Sequence, residues 1–241
     1  MWKTYVKIAD LNVEFVTKYS IGHICKKYKI EEPSNVDITV TVSEEEIQKE
    51  KNLIPENERV NEAYYETVCV YRNLAKQLWQ YNSLVFHAAT IKVDGRAIAF
   101  AAKSGTGKTT HMRLWQQLLG ENLTVINGDK PIIRFIDGNP TAFGTPWQGK
   151  ESLGDNICAP LTDICFIVRS ETNSTEKVTS EEIFDKIFNQ ILLPDDFMGR
   201  VTTLELVNNL LKKCNLWLIK CNMDIDAAAT AYNAIIKSKE E

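Results

Sequence analysis

The segment Ala102-Lys103-Ser104-Gly105-Thr106-Gly107-Lys108-Thr109-Thr110 concentrates the residue types that bind phosphate. It fits the pattern G-x-x-x-x-G-K-[ST], with Ala102 in place of the first glycine. A loop that wraps an anion in backbone N–H groups needs residues that accept unusual φ/ψ and close approach, which Gly105 and Gly107 supply. A helix opening at Lys108 aims unpaired N–H groups and its positive dipole end at the anion. Ser104, Gly105, Thr106, Gly107, Lys108, Thr109 and Thr110 would then hold the phosphates of a nucleotide. Lys108 would reach the terminal phosphates, and Thr109 would give its hydroxyl to Mg²⁺. Ala102 only begins the turn, where an ordinary φ serves. The motif defines a nucleotide site and leaves the reaction open.

A reaction needs partners. Asp129 follows the next apolar strand, Leu123–Ile126, where a carboxylate can hold Mg²⁺ or take the proton of an attacking hydroxyl. Asn127-Gly128-Asp129 is equally the composition of a plain turn. His87 stands in an apolar run beside Ala88 and Ala89, the usual setting of a satisfied core histidine. Lys130, Arg134, Lys150 and Arg169 are candidates to stabilise transferring phosphate charge, and the sequence does not rank them. The stretch Gly144–Glu151, with Trp147 among small residues and two opposite charges, reads as a substrate loop or a well-packed Ω-loop.

These residues need elements to carry them. Over residues 1–81 the pattern predicts strands, a short helix and one long amphipathic helix from Asn61 to Tyr81. Val36, Ile38, Val40 and Val42 alternate as a half-buried strand, and Ser43 with Glu46 forms a capping box for a helix through Lys51. The remainder, 82–241, reads as the nucleotide-binding domain. Leu84–Val93 and Arg96–Ala102 are apolar strands joined by Asp94-Gly95, a hairpin signal. A helix from Lys108 to Leu119 closes at Gly120. A second hairpin turns at Asp137-Gly138 between Ile132–Ile136 and Thr141–Thr145, and Ile164–Val168 is a further strand. Thr179 with Glu182 caps an amphipathic helix through Leu192 that Pro194 ends. A helix near Thr203–Cys214, a strand at Leu216–Lys220 and a helix from Asp226 to Lys237 follow. The whole is α/β with a sheet-rich centre.

Composition narrows the setting. With 28 Lys+Arg against 32 Asp+Glu the net charge is −4, without the clustered basic footprint of a nucleic-acid binder. Apolar runs such as Leu84–Ala89 and Ile98–Ala102 fall far short of the ~20 residues of a membrane helix. The N-terminal residues carry no apolar signal core, so a cytoplasmic setting is expected. The six cysteines form no C-x-x-C and read as reduced, mostly buried small hydrophobes.

The motifs taken together resemble a known family. Ser104–Thr110 with Gly128-Asp129 is similar to the nucleotide site shared by HPr serine kinase/phosphorylases and ATP-dependent phosphoenolpyruvate carboxykinases. Phe86-His87-Ala88-Ala89, Ser104–Thr110 with His111 and Trp115, Ile126–Pro131 and Gly144–Glu151 resemble the HPr-kinase-related proteins of bacterial peptide-modification gene clusters. The resemblance implies a P-loop α/β core with a mixed sheet, preceded by a small α+β N-terminal region. It also implies ATP and Mg²⁺ as the phosphorylating pair and a serine hydroxyl of a protein or peptide as acceptor. On it Lys108 and Thr109 handle phosphate and metal, Asp129 serves the metal or acts as base, and His87 lies beside the acidic group. HPr kinases also assemble, so a homo-oligomer is in view. They carry two adjacent aspartates where this chain has Gly128-Asp129, and their phosphorylase signature is not recognisable after residue 170. Carboxykinases are much larger. The leading expectation is a hydroxyl kinase. A nucleotide-binding regulator that transfers nothing, or a scaffold binding peptide through the N-terminal region, remain alternatives.

Overall fold

The computed structural model describes residues 1–237 as a mixed α/β fold. The N-terminal part is a three-stranded sheet of β1 (Trp2–Ile8), β2 (Leu11–Thr17) and β3 (Ile38–Thr41). β1 and β2 form a seven-pair antiparallel ladder, and β3 joins β2 in parallel. α1 (Glu44–Asn52) starts at the Ser43–Glu46 capping box, with both reciprocal bonds formed. α2 covers Glu62–Ala75 and is capped by the Asn61 side chain.

The helix expected to run on to Tyr81 stops six residues early. Leu78–Tyr81 is a 3-10 turn, and Asn82, at φ 51°, reverses the chain in the left-handed conformation that asparagine tolerates. That reversal aims the chain into β4 (Ser83–Val85), which a continuous helix could not do.

The single strand expected over Leu84–Val93 is also two. β4 ends at Val85 and β5 spans Ala88–Val93, because the halves have different neighbours. β4 pairs with β8 (Ile132–Ile136), whereas β5 lies between β6 (Arg96–Ala101) and β7 (Leu123–Asn127). At the break the Phe86 N–H donates to Pro131 O and the His87 N–H to Gln190 O. The β5–β6 hairpin turns at Asp94-Gly95, both with positive φ, as the primed two-residue turn requires.

α3 (Lys108–Leu119) ends at Gly120, as the sequence predicts. β9 is Asn139–Phe143, two residues ahead of the expected strand, and pairs with β8 about Asp137-Gly138. β10 (Cys158–Arg169) is twelve residues long, well beyond the expected Ile164–Val168. It pairs antiparallel with β9 at its start, then parallel with β6 and with β12 (Asn215–Cys221). The polar edge strand β11 (Ser174–Lys177), which alternation did not reveal, pairs with β12.

α4 (Ser180–Phe188) stops short of Leu192 because Ile191 leaves the helix to bridge Phe86. α5 (Phe197–Lys213) starts earlier than Thr203, capped by Asp196, and α6 spans Ile225–Ile235.

Hydrophobic clusters fill both faces of the large sheet. α4 and α5 cover one through Ile183, Ile187, Leu206 and Leu210. α3 and α6 cover the other through Met112, Trp115, Ala231 and Ile235. A third cluster joins Phe15, Tyr28, Val70 and Leu74 of the N-terminal part to Val85, Ile132 and Phe143. Five cysteines are buried, and Cys158 is exposed. Among the described residues no helix is long and apolar enough to cross a membrane.

Candidate functional site

Strand direction gathers the chemistry at one edge. β6, β10 and β12 run parallel, and β7 shares their direction because both β6 and β7 are antiparallel to β5. The C-terminal ends of β6, β7 and β10 therefore present Ala102–Gly107, Asp129 and Arg169 on the edge where β5 begins, immediately after His87. Ligand sites at the carboxyl ends of strands are the general rule in open α/β sheets.

The loop itself is an open cradle. Gly105 and Gly107 take φ of 76° and 129°, and neither has a neighbour within 4 Å of the space a Cβ would fill. Gly107 opens α3 without a side-chain cap, so the N–H groups of the first turn face outward for an anion. Lys108 is only 8% exposed, and its Nζ donates to Ala102 O at 3.1 Å. Burial lowers its pKa, while the Asp129 charge works to raise it. Arg169 ties the loop from behind, with Nε donating to Thr106 O at 3.1 Å and Nη2 to Gly105 O at 2.5 Å.

Asp129 is held at both oxygens. His87 Nε2 lies 3.1 Å from Oδ1, and Lys130 Nζ lies 2.9 Å from Oδ2. Burial alone would raise the carboxyl pKa, but the His87 hydrogen bond and the Lys130 charge prevail and set it at about 2. Lys130 in turn is pushed down by its own burial. The turn carrying the pair is built from Asn127, whose Oδ1 accepts the N–H groups of Asp129 and Lys130 at 2.8 and 2.7 Å. Asn127 Nδ2 donates to Thr145 O and Oγ1, and Thr145 Oγ1 donates to Lys130 O. So Asn127-Gly128-Asp129 is a turn and the mount of a charged cluster at once.

Nothing larger than Gly128 fits unless the facing loop moves. A Cβ there would lie 2.8 Å from Gln148 O and 3.0 Å from Leu153 O. A second carboxylate beside Asp129 is therefore excluded by the packing of the 144–155 loop. That loop is clamped by the N-terminal part: Trp147 packs on Phe15 and Tyr71 and donates to Thr67 O. An Arg113–Glu151 ion pair ties it to α3.

Of the four candidate cations, Lys130 and Arg169 lie at the site. Arg134 points away, donating to Ala9 O at 2.6 Å, and Lys150 is exposed on its loop. Asn127 and Thr145 escaped the sequence reading as positioning residues. Asn127 had a signal in its turn composition, whereas Thr145 had none.

Among the described residues no group of three or more His, Cys, Asp or Glu forms a metal cage. Mg²⁺ in nucleotide sites takes most of its ligands from phosphate and water, so Thr109 and one carboxylate suffice from the protein. Each Asp129 oxygen has one hydrogen-bond partner and retains a lone pair, which fits that use. A cavity of about 1060 Å³ opens on one flank of the loop, walled by His87, Lys103, Gly105, Phe166, Arg169 and Gln190. A second, of about 460 Å³, lies on the other flank beside Thr110, Asn222 and Met223.

No family model matches the chain, and no curated protein matches it. Among solved structures it is similar to the Hpr(Ser) kinase/phosphatase from Coxiella burnetii, with TM-score 0.36 and 8% identity over 65% of this chain and 93% of that one.

Proposed function

We propose that the chain is an ATP- and Mg²⁺-dependent phosphotransferase that moves the γ-phosphoryl group to a hydroxyl, with serine of a small protein or peptide as the acceptor class. One observation carries the reading: a charged His87–Asp129–Lys130 cluster sits at the same sheet edge as an open phosphate cradle containing a buried lysine.

The residues divide the work by position. The loop N–H groups and Lys108 hold the phosphates once Lys108 leaves Ala102 O. Mg²⁺ bound by Thr109 and Asp129 would supply neutralising charge. Asp129, ionised far below neutral pH, accepts a hydrogen bond from the incoming hydroxyl and orients it. Lys130 and Arg169 add positive charge around the transferring group. The larger cavity, which His87 shares with the Asp129 cluster, is the acceptor's entrance. Most of the rate then comes from positioning and electrostatics.

The test is calorimetric titration of Mg·ATP into wild type and Lys108→Ala, followed by ATP turnover with serine-containing peptides. Binding that Lys108→Ala abolishes, with peptide-stimulated turnover, supports the reading. No nucleotide binding by wild type overturns it. A second reading, nucleotide sensing without transfer, is favoured by the exclusion of another carboxylate at Gly128. Tight Mg·ATP binding with no turnover would select it.

A further inference from the structure

Gln190 belongs to no motif and follows α4, yet it reaches the centre of the site. Its backbone O accepts the His87 N–H at 2.8 Å, and the next residue, Ile191, bridges Phe86. With the carboxamide turned so that its NH₂ faces the site, the nitrogen lies 3.2 Å from Ala102 O, 3.2 Å from His87 O and 3.3 Å from His87 Nδ1. The two carbonyl oxygens can only accept, so they fix the amide with its NH₂ facing the site. The opposite orientation would offer that nitrogen one acceptor, Lys186 O at 3.4 Å, and set the amide oxygen against two carbonyls.

A consequence follows for the imidazole. A nitrogen that faces an NH₂ donor must itself accept, so Nδ1 is bare and the ring proton sits on Nε2. Nε2 is the atom 3.1 Å from Asp129 Oδ1. The amide thus acts from the other side of the ring with the Asp129 carboxylate, which itself needs a donor at Nε2, and both favour the tautomer in which His87 donates to Asp129. The same NH₂ contacts Ala102 O, the carbonyl that Lys108 also holds. When Lys108 turns to phosphate, that buried carbonyl keeps a donor.

We infer that Gln190 is a positioning residue: its carboxamide donates to His87 Nδ1, holds the ring from the side opposite Asp129, and keeps the Ala102 carbonyl satisfied when Lys108 engages phosphate. The kinetic part rests on the phosphotransfer reading above, and the contact to Nδ1 does not.

The experiment therefore begins without nucleotide. Nitrogen NMR of the imidazoles in the full-length protein, with His87 assigned through His87→Gln and recorded above the ordinary imidazole titration range, reads the tautomer directly. Wild type is expected to show Nε2–H and bare Nδ1. A protonated Nδ1 overturns the inference whether or not ATP binds. Gln190→Met keeps the length of the side chain and removes the donor. It is expected to keep the Nε2 proton, which Asp129 still requires, but to move the His87 Nδ1 resonance as that atom loses its donor, with unchanged His111 signals and turnover about tenfold lower with KM for ATP held, in line with losses at other histidine-orienting partners. A Gln190→Met protein whose His87 Nδ1 resonance stays at its wild-type position overturns it, whether turnover is retained or nucleotide binding is lost.

Discussion

His87 Nε2 and Asp129 Oδ1 lie 3.1 Å apart although 41 intervening residues, the glycine-bearing loop 102–107 among them, separate the two in the chain. The Ala88 N–H donates to Asp129 O at 3.1 Å, so backbone and side chains register the start of β5 against the end of β7 together. A carboxylate built in this way is rigid and ionised, and both properties can be tested.

Asp129→Asn should lower turnover by about 10²–10⁴-fold if the carboxylate orients the acceptor. The same change has a stability signature. The carboxyl pKa is lowered from 3.8 to about 2, so its contribution is full above 3.8 and disappears as pH falls toward 2. Urea titrations should show wild type more stable than Asp129→Asn by at most about 2 kcal/mol near neutrality, with the gap closing toward pH 2. A gap that widens on acidification contradicts the assignment.

Gly128→Asp should not create a second working carboxylate. Backbone oxygens of Gln148 and Leu153 occupy the space, so the substitution must displace the loop. The expected cost is about 1–3 kcal/mol in denaturant unfolding, with weaker turnover. Higher turnover at wild-type stability would show that the loop yields freely.

His111 offers an independent pH test away from the charged cluster. Its ring is 2% exposed, accepts the Trp115 indole N–H at 3.0 Å, and has a pKa lowered by burial from 6.5 to about 4. The unfolded chain binds the extra proton between those values, so stability is full above 6.5 and declines as pH falls toward 4. The loss should reach roughly 3 kcal/mol. His111→Gln, which can still accept from Trp115, should flatten that slope in urea midpoints measured across the range.

Trp147→Ala should unclamp the 144–155 loop from the N-terminal part. The ring is half-buried between Phe15 and Tyr71, so a loss of about 2–3 kcal/mol is expected in thermal or urea unfolding. Turnover should fall as well, because Thr145 and Gln148 on that loop shape the Asp129 turn. Loss of stability at full turnover would separate the clamp from the site.

What could be read locally was legible. The Ser43–Glu46 box, the Asp94-Gly95 hairpin, the Lys108–Leu119 helix and the open glycines of the loop depend on neighbours within a few positions. What failed was set by distant partners. Leu84–Val93 shows no break in its apolar run, yet Pro131 O and Gln190 O draw Phe86 and His87 out of the ladder. The helix periodicity through Ile191 and Leu192 is real, but the bridge to Phe86 draws Ile191 out of the helix. The same physics hid Thr145 and Gln190, whose roles exist only after the chain has folded.

β10 has one further consequence, and it concerns timing. Its three partners, β9, β6 and β12, are remote from one another in sequence, and β9 and β6 are both synthesised before it. Until residue 169 leaves the ribosome, β6 and β9 each keep an unpaired edge, the feature that invites misassociation. Arg169, which ties the 102–107 loop at Gly105 and Thr106, is the last residue of that same strand. Arg169 therefore reaches Gly105 and Thr106 only when this strand joins the two halves of the sheet.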